Sequence, residues 1–278
     1  MAKDFLDYLI SIRQQNTPYA VATVIDVVGS TSAKTGSKAL IDHNGRVVTG
    51  WVGGGCAESA TCQAAEKCMQ SGETEIIEID LDDEVLGAGM PCGGHMRVYI
   101  EPTLPKPSLW IMGHGAVAEH LCHLADLMGF SVIVNDSMAE RDKFPDATQL
   151  ITDDIDYSLL VPKAEDFVVI ATQHKGDHES MSKALASEAQ YIALIASRKR
   201  SRLVLDYLRD RKFSEADIKR VMAPSGIDIG ARSPAEIALS VISEMVLVRR
   251  QASGERMRDT LHREDPAPKA VAGGKGDR

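Results

Sequence analysis

Leu109-Trp-Ile-Met112-Gly113-His114-Gly115-Ala116-Val117-Ala118 decides the fold of this chain. A short apolar run that meets two glycines and then a helical pattern has the strand–turn–helix form of a dinucleotide-type α/β unit. The glycines permit a tight turn and close backbone approach, and the helix N-terminus offers N–H groups to a diphosphate. The next apolar run, Ser131–Asn135, leads into Asp136. That is about 20 residues on, where an acid meets a ribose hydroxyl in such units.

Downstream, Phe167–Thr172 and Tyr191–Ala196 are further short apolar runs separated by helical segments. Strand–helix alternation predicts a Rossmann-like, doubly wound parallel-sheet domain over 108–251. Ser233-Pro234-Ala235-Glu236 combines an N-cap serine, proline at N1 and glutamate at N3, so a long helix is expected from there to about Val248. Residues 252–278 lack apolar periodicity and end in Pro, Ala, Gly and Lys, the composition of a disordered tail.

Upstream, Pro102, Pro105 and Pro107 define a linker over 102–107, since prolines interrupt a ladder. Residues 1–101 read as a mixed α+β domain, so the chain as a whole is α/β. An amphipathic helix over 1–16 is followed by the strand Ala20–Gly29 and by two runs, Ser37–Asp42 and Arg46–Trp51. These flank Asn44-Gly45, a strong hairpin signal. Cys56 opens a helix to about Ser71, with Gly72 as its stop. Glu75–Asp80 and Met96–Glu101 alternate like strands, which makes a mixed sheet with one principal helix.

Two glycine-framed cysteines carry the chemistry, in Gly53-Gly54-Gly55-Cys56 and Pro91-Cys92-Gly93-Gly94. Glycine beside cysteine clears bulk and lets a large ligand reach both thiol and main-chain N–H. Cys56 would lie at a helix N-terminus, which favours a thiolate. Cys62 and Cys68 follow at spacings of six. At about 100° per residue the three point in different directions, so Cys62 and Cys68 read as packed residues. Zinc is disfavoured, because no C-x-x-C motif or suitably spaced histidine pair accompanies the thiols. His174 and His178 stand at i, i+4 after a strand, where ligand hydrogen bonding is the stronger expectation than a metal. Ser225–Ala231, with Gly226 and Asp228, is a glycine-rich loop long enough to lie over a cofactor or to serve as a plain connection.

A net charge of −9 without a basic stripe argues against a nucleic-acid partner. No apolar run is long enough to span a bilayer, and acidic residues within the first helix argue against a secretory signal. Five cysteines, an odd and sparse set, suit a reducing cytoplasm better than a disulfide framework. No nucleophile elbow, Walker loop or H-E-x-x-H motif is present.

The chain resembles the xanthine dehydrogenase accessory factors of the XdhC/CoxI/CoxF type over about residues 10–250. The resemblance rests on Gly29-Ser30 with Gly36-Ser-Lys38, Gly50-Trp-Val-Gly-Gly-Gly-Cys56-Ala-Glu58, Cys92-Gly-Gly94, Gly113-x-Gly115, Ala193–Arg198 and Gly226–Glu236. It implies a non-enzymatic maturation factor that binds molybdenum cofactor and protects it while a cysteine desulfurase adds the sulfido ligand. The loaded cofactor is then inserted into the large subunit of a molybdenum hydroxylase, of xanthine dehydrogenase or carbon monoxide dehydrogenase type. The resemblance also implies a cytoplasmic homodimer. It points to Cys56 and Cys92 at the metal or sulfur end, with Gly53, Gly54, Gly55 and Glu58 beside them. Gly113, Gly115, Asp136, His174, Gly226 and Asp228 would line a nucleotide-type or cofactor site. The residues also leave two other activities open: an NAD(P)-dependent oxidoreductase, or a thiol redox protein cycling a Cys56–Cys92 disulfide.

Overall fold

The computed structural model describes residues 4–80, 94–172 and 177–262. The chain divides into two compact units between Pro105 and Lys106.

In the first unit α1, Phe5–Gln14, starts at a reciprocal box in which Asp4 and Asp7 each accept the other's backbone N–H. The strands are β1 (Tyr19–Gly29), β2 (Lys38–Asp42), β3 (Val47–Gly50), β4 (Glu75–Asp80) and β5 (Gly94–Thr103), with α2 at Cys56–Ser71. They pair in the order β3-β2-β1-β5-β4. Every pairing is antiparallel, so the expected mixed sheet is corrected to an antiparallel one. The β2–β3 pair turns through Asn44-Gly45, which a tight antiparallel hairpin needs. On β5, Met96, Val98 and Ile100 point to the buried face at period two. They join Ala57, Ala64, Ala65, Cys68 and Met69 of α2 in one core. α2 ends as expected: Gly72 takes a left-handed conformation, and its N–H donates to the carbonyl of Cys68 at 2.8 Å.

The proline expectation needs a correction. Pro102 and Thr103 belong to β5 and stand opposite Ala20 and Tyr19 of β1. β4 covers β5 only as far as Ile100. Beyond that residue one side of β5 is an edge, where a missing N–H is tolerated.

The second unit contains β6 (Ser108–Met112), α3 (Ala116–Leu127), β7 (Ser131–Asn135), β8 (Gln149–Ile151), β9 (Phe167–Ile170), α4 (Asp177–Leu185), β10 (Tyr191–Leu194), α5 (Arg198–Asp210), α6 (Glu215–Lys219), β11 (Val221–Met222) and α7 (Pro234–Arg250). Its sheet runs β11-β10-β9-β6-β7-β8, parallel throughout. The chain therefore winds outward from β6 in one direction and then from β9 in the other. This is the doubly wound Rossmann order, with its switch point between β6 and β9. Leu109 and Ile111 of β6 pack with α3 and α7, while Trp110 and Met112 pack with α4 and α5. Burial on both faces explains why the strands read as continuous apolar runs. Phe167 is fully buried, edge-on to Phe130 at 5.1 Å between ring centroids. Such burial contributes on the order of 1.5–3 kcal/mol.

β8 and β11 have only three and two residues and show no pattern in sequence; their neighbours' ladders hold them. The chain also remains ordered past the expected start of the tail at 252. Gln251 takes a left-handed conformation, Ala252 N–H donates to Leu247 at 3.0 Å, and a 3-10 turn follows at Met257–Thr260. Arg256 and Asp259 brace that turn at 2.6 Å. Among the described residues no helix is long and apolar enough to cross a membrane.

Candidate functional site

The glycine turn sits where β6 ends, at the switch point. Gly113 has φ +136°, and a Cβ there would lie 2.6 Å from the backbone C and O of Ala171 on the neighbouring strand's exit. Only glycine permits that approach. Gly115, also at positive φ, is the N-cap of α3, and no side chain caps this helix start.

Asp136 follows β7 directly. Its Oδ1 stands 2.9 Å from His114 Nδ1 and also accepts Met138 N–H at 2.8 Å. The acid expected to meet a ribose hydroxyl is thus bonded to the histidine inside the glycine motif. Beside it, buried Asn135 donates from Nδ2 to Asp154 Oδ2 at 2.7 Å. Asp154 also accepts the N–H groups of Ser158 and Leu159 and the Ser158 hydroxyl. Burial pushes the Asp154 carboxyl up, but these donors outweigh it and hold it below the usual carboxylate range. A depressed folded-state value stabilises the fold above the unfolded value and is lost as pH falls through the folded one. The stability difference between the parent and Asp154→Asn is therefore expected at neutral pH and to shrink below about pH 4. Urea unfolding at both pH values checks this, and an unchanged difference would count against it.

Two cavities open at this end of the sheet. One, of about 610 Å³, is lined by His114, Asp136, Met138, Ile155, Thr172 and Glu179, among others. The second, of about 410 Å³, lies at the α3 N-terminus and shares His114 and Thr172; Ile195 and Arg200 complete it. Arg200 donates from Nη2 to the Thr172 carbonyl at 2.9 Å and hydroxyl at 3.1 Å. In the sequence Arg200 reads only as part of a short basic run. Its place one turn into the helix after β10, behind the N-cap Ser197, is the signal that could have found it.

Gly226 and Asp228 line neither cavity. Gly226 N–H donates to Glu244 Oε2 at 2.9 Å, and the Tyr191 hydroxyl donates to the same oxygen at 2.5 Å. A Cβ on Gly226 would collide with Ser240 Oγ, so this loop is packed onto α7. Asp228 is exposed and caps its own turn through Gly230 N–H at 3.3 Å. His178 stacks on Tyr207 at 4.2 Å. His174 and Cys92 lie outside the described residues. Among the described residues no group of three potential ligands could hold a metal ion.

In the first unit, Gly53, Gly54 and Gly55 lead into α2, with half-buried Cys56 as its first residue. Gly53 is packed: its Cβ would lie 3.1 Å from Ala57 Cβ. Gly55 requires its positive φ of 59°. Gly54 has neither constraint, and a Cβ there meets no described atom within 4 Å. Gly54 is exposed. Glu58 lies half-buried in the first turn. Cys62 and Cys68 point elsewhere, as helical rotation requires. Burial pushes both thiols up, aided at Cys62 by Glu58, and Cys68, beside Glu75, reaches about 11.

A parallel sheet in this order, with a glycine turn and cavities at its switch point, defines a Rossmann-type domain. The chain belongs to the XdhC and CoxI family: residues 12–80 match that family and residues 109–245 match its XdhC Rossmann domain. It is 31% identical over 258 residues to the uncharacterized protein YqeB of Escherichia coli, covering 90% of this chain and 47% of that protein. It is also 31% identical over 163 residues to a protein of Bacillus subtilis described as a probable xanthine dehydrogenase subunit, covering 56% of this chain and 47% of that one. The chain spans about half the length of these curated relatives. A crystal structure described as a xanthine dehydrogenase from Bacillus halodurans aligns with TM-score 0.50 and 23% identity, over 90% of this chain and 96% of that chain. This likeness concerns the fold.

Proposed function

We propose that this protein is an accessory factor that binds molybdenum cofactor, protects it during sulfuration by a cysteine desulfurase, and inserts it into a xanthine dehydrogenase-type hydroxylase. Homodimeric action in the cytoplasm is part of the proposal. Membership of the XdhC and CoxI family supports the accessory role. What supports the site is Cys56, half-buried as the first residue of α2 directly after Gly53–Gly55, at a helix start without a side-chain cap.

The donor set fits the group. When bound, the cofactor supplies a molybdenum centre on a dithiolene and an anionic phosphate. Cys56 offers a soft sulfur suited to the metal end. The α2 start, which carries no side-chain cap, offers N–H groups suited to the phosphate. An NAD(P)-dependent oxidoreductase is the weaker proposal, because the family match supports the accessory role.

Gly54→Val tests the site. Purified from a cofactor-competent host, the variant should carry about tenfold less molybdopterin, a loss of ~1.4 kcal/mol. Its melting temperature should stay close to the parent's, since no described atom opposes the new side chain. Equal loading would sink the assignment.

A further inference from the structure

The outer face of α5 is arranged against its own electrostatics. Residues 198–202 hold four cations and no acid, and the two acids of the helix, Asp206 and Asp210, stand beyond them. Ser201, Val204 and Leu208 are buried and mark the inward side of the helix. Arg200 is half-buried and turned to Thr172. Arg198, Lys199 and Arg202 are left exposed, and among the described residues none of the three makes an ion pair or a side-chain hydrogen bond. At about 100° per residue, Arg198 and Arg202 lie one turn apart on one ridge, with Lys199 and Leu203 on the ridge beside it. Leu203 is 59% exposed.

This arrangement lowers stability twice over. The N-terminal end of a helix carries partial positive charge, which disfavours cations in its first turn. Like charges at i, i+4 repel as well. Cations held together unpaired under both penalties, on a chain of net charge −9, mark a surface whose counter-charge comes from another molecule.

We propose that the outer face of α5 docks an acidic segment of a partner protein. Its carboxylates lie against Arg198, Lys199 and Arg202, and an apolar side chain lies against Leu203. The exposed leucine selects a peptide over a free inorganic anion, which has nothing to set against it. The cationic stretch rises only about 6 Å along the helix, too short to track a nucleic-acid backbone. The chain's net negative charge opposes an anionic membrane. This goes beyond the accessory role and uses neither the cofactor nor Cys56, so either proposal can fail alone.

Fluorescence anisotropy of the full chain with a labelled peptide of Glu-Glu-Leu repeats provides the test. The peptide should bind, and added salt should weaken it. A Glu-Glu-Ser peptide of equal length should bind about tenfold more weakly, for want of an apolar partner, and Leu203→Ser should remove that difference. Arg198→Glu combined with Lys199→Glu should weaken the Glu-Glu-Leu peptide at least about tenfold. The same double variant should melt about 1–4 °C higher, because acids suit the helix start and Arg198→Glu gains an i, i+4 ion pair with Arg202. Loss of binding in a more stable protein excludes misfolding as its cause. The proposal is overturned if the peptide does not bind at millimolar concentration, or if the double variant binds like the parent or melts below it. It is equally overturned if Leu203→Ser still distinguishes the two peptides, or if duplex DNA or phosphatidylserine vesicles bind tighter than the peptide.

Discussion

Gly113→Ala is expected to disrupt the Lys106–His262 unit more than any other single-methyl change at the candidate sites. The added carbon would stand 2.6 Å from Ala171 C and O and 2.8 Å from Thr172 N. These are main-chain atoms, so no rotamer change relieves the contact. Ala171 cannot retreat either: its N–H donates to the Met112 carbonyl at 2.8 Å, and β6 pairs with β9 up to Met112–Ile170. The alanine would in addition have to adopt φ +136°. Strain of this kind costs on the order of 3 kcal/mol or more, a large part of the 5–15 kcal/mol that holds a typical domain. The melting transition should fall by roughly 10 °C, or the variant should be insoluble. A transition within a degree or two of the parent's would mean that the turn does not approach β9 so closely.

The second large effect is functional. Cys56→Ala combined with Cys92→Ala should abolish cofactor retention and client activation, with at least about a hundredfold loss, ~2.7 kcal/mol, if both thiols hold the ligand. Cys68→Ala is the matched control. Its thiol is buried, lies 3.8 Å from Glu75 and is pushed up to about 11, so it belongs to the core. That variant should lose stability and keep its cofactor. Molybdopterin content and activation of an apo-hydroxylase read out both variants. If the double variant performs like the parent, the thiols are not the ligand's anchor. A Cys56–Cys92 crosslink formed under mild oxidant, with no dependence on cofactor, would instead favour a redox protein.

Much of the fold was legible because its determinants are local. The run Leu109–Met112, the glycine pair and the capped start at Ser233-Pro234 each act over a few residues. The structure places β6, α3 and α7 where those signals put them. The stop at Gly72 and the hairpin at Asn44-Gly45 are local in the same sense. β8, β11 and the continuation of β5 through Pro102 were not legible, because each depends on which strand lies alongside.

The candidate sites divide the same way. The rotation of Cys62 and Cys68 away from Cys56 follows from helical geometry, and the sequence alone determined it. Tertiary structure alone decided the rest. It bonded Asp136 to His114, packed Gly226 against α7, and brought Arg200 to the α3 start. The physical reason is separation along the chain. Asp136 lies 22 residues from His114, and Arg200 lies 28 from Thr172. Sheet order and register set such distances, and a pattern read over one or two turns of helix carries no information about them.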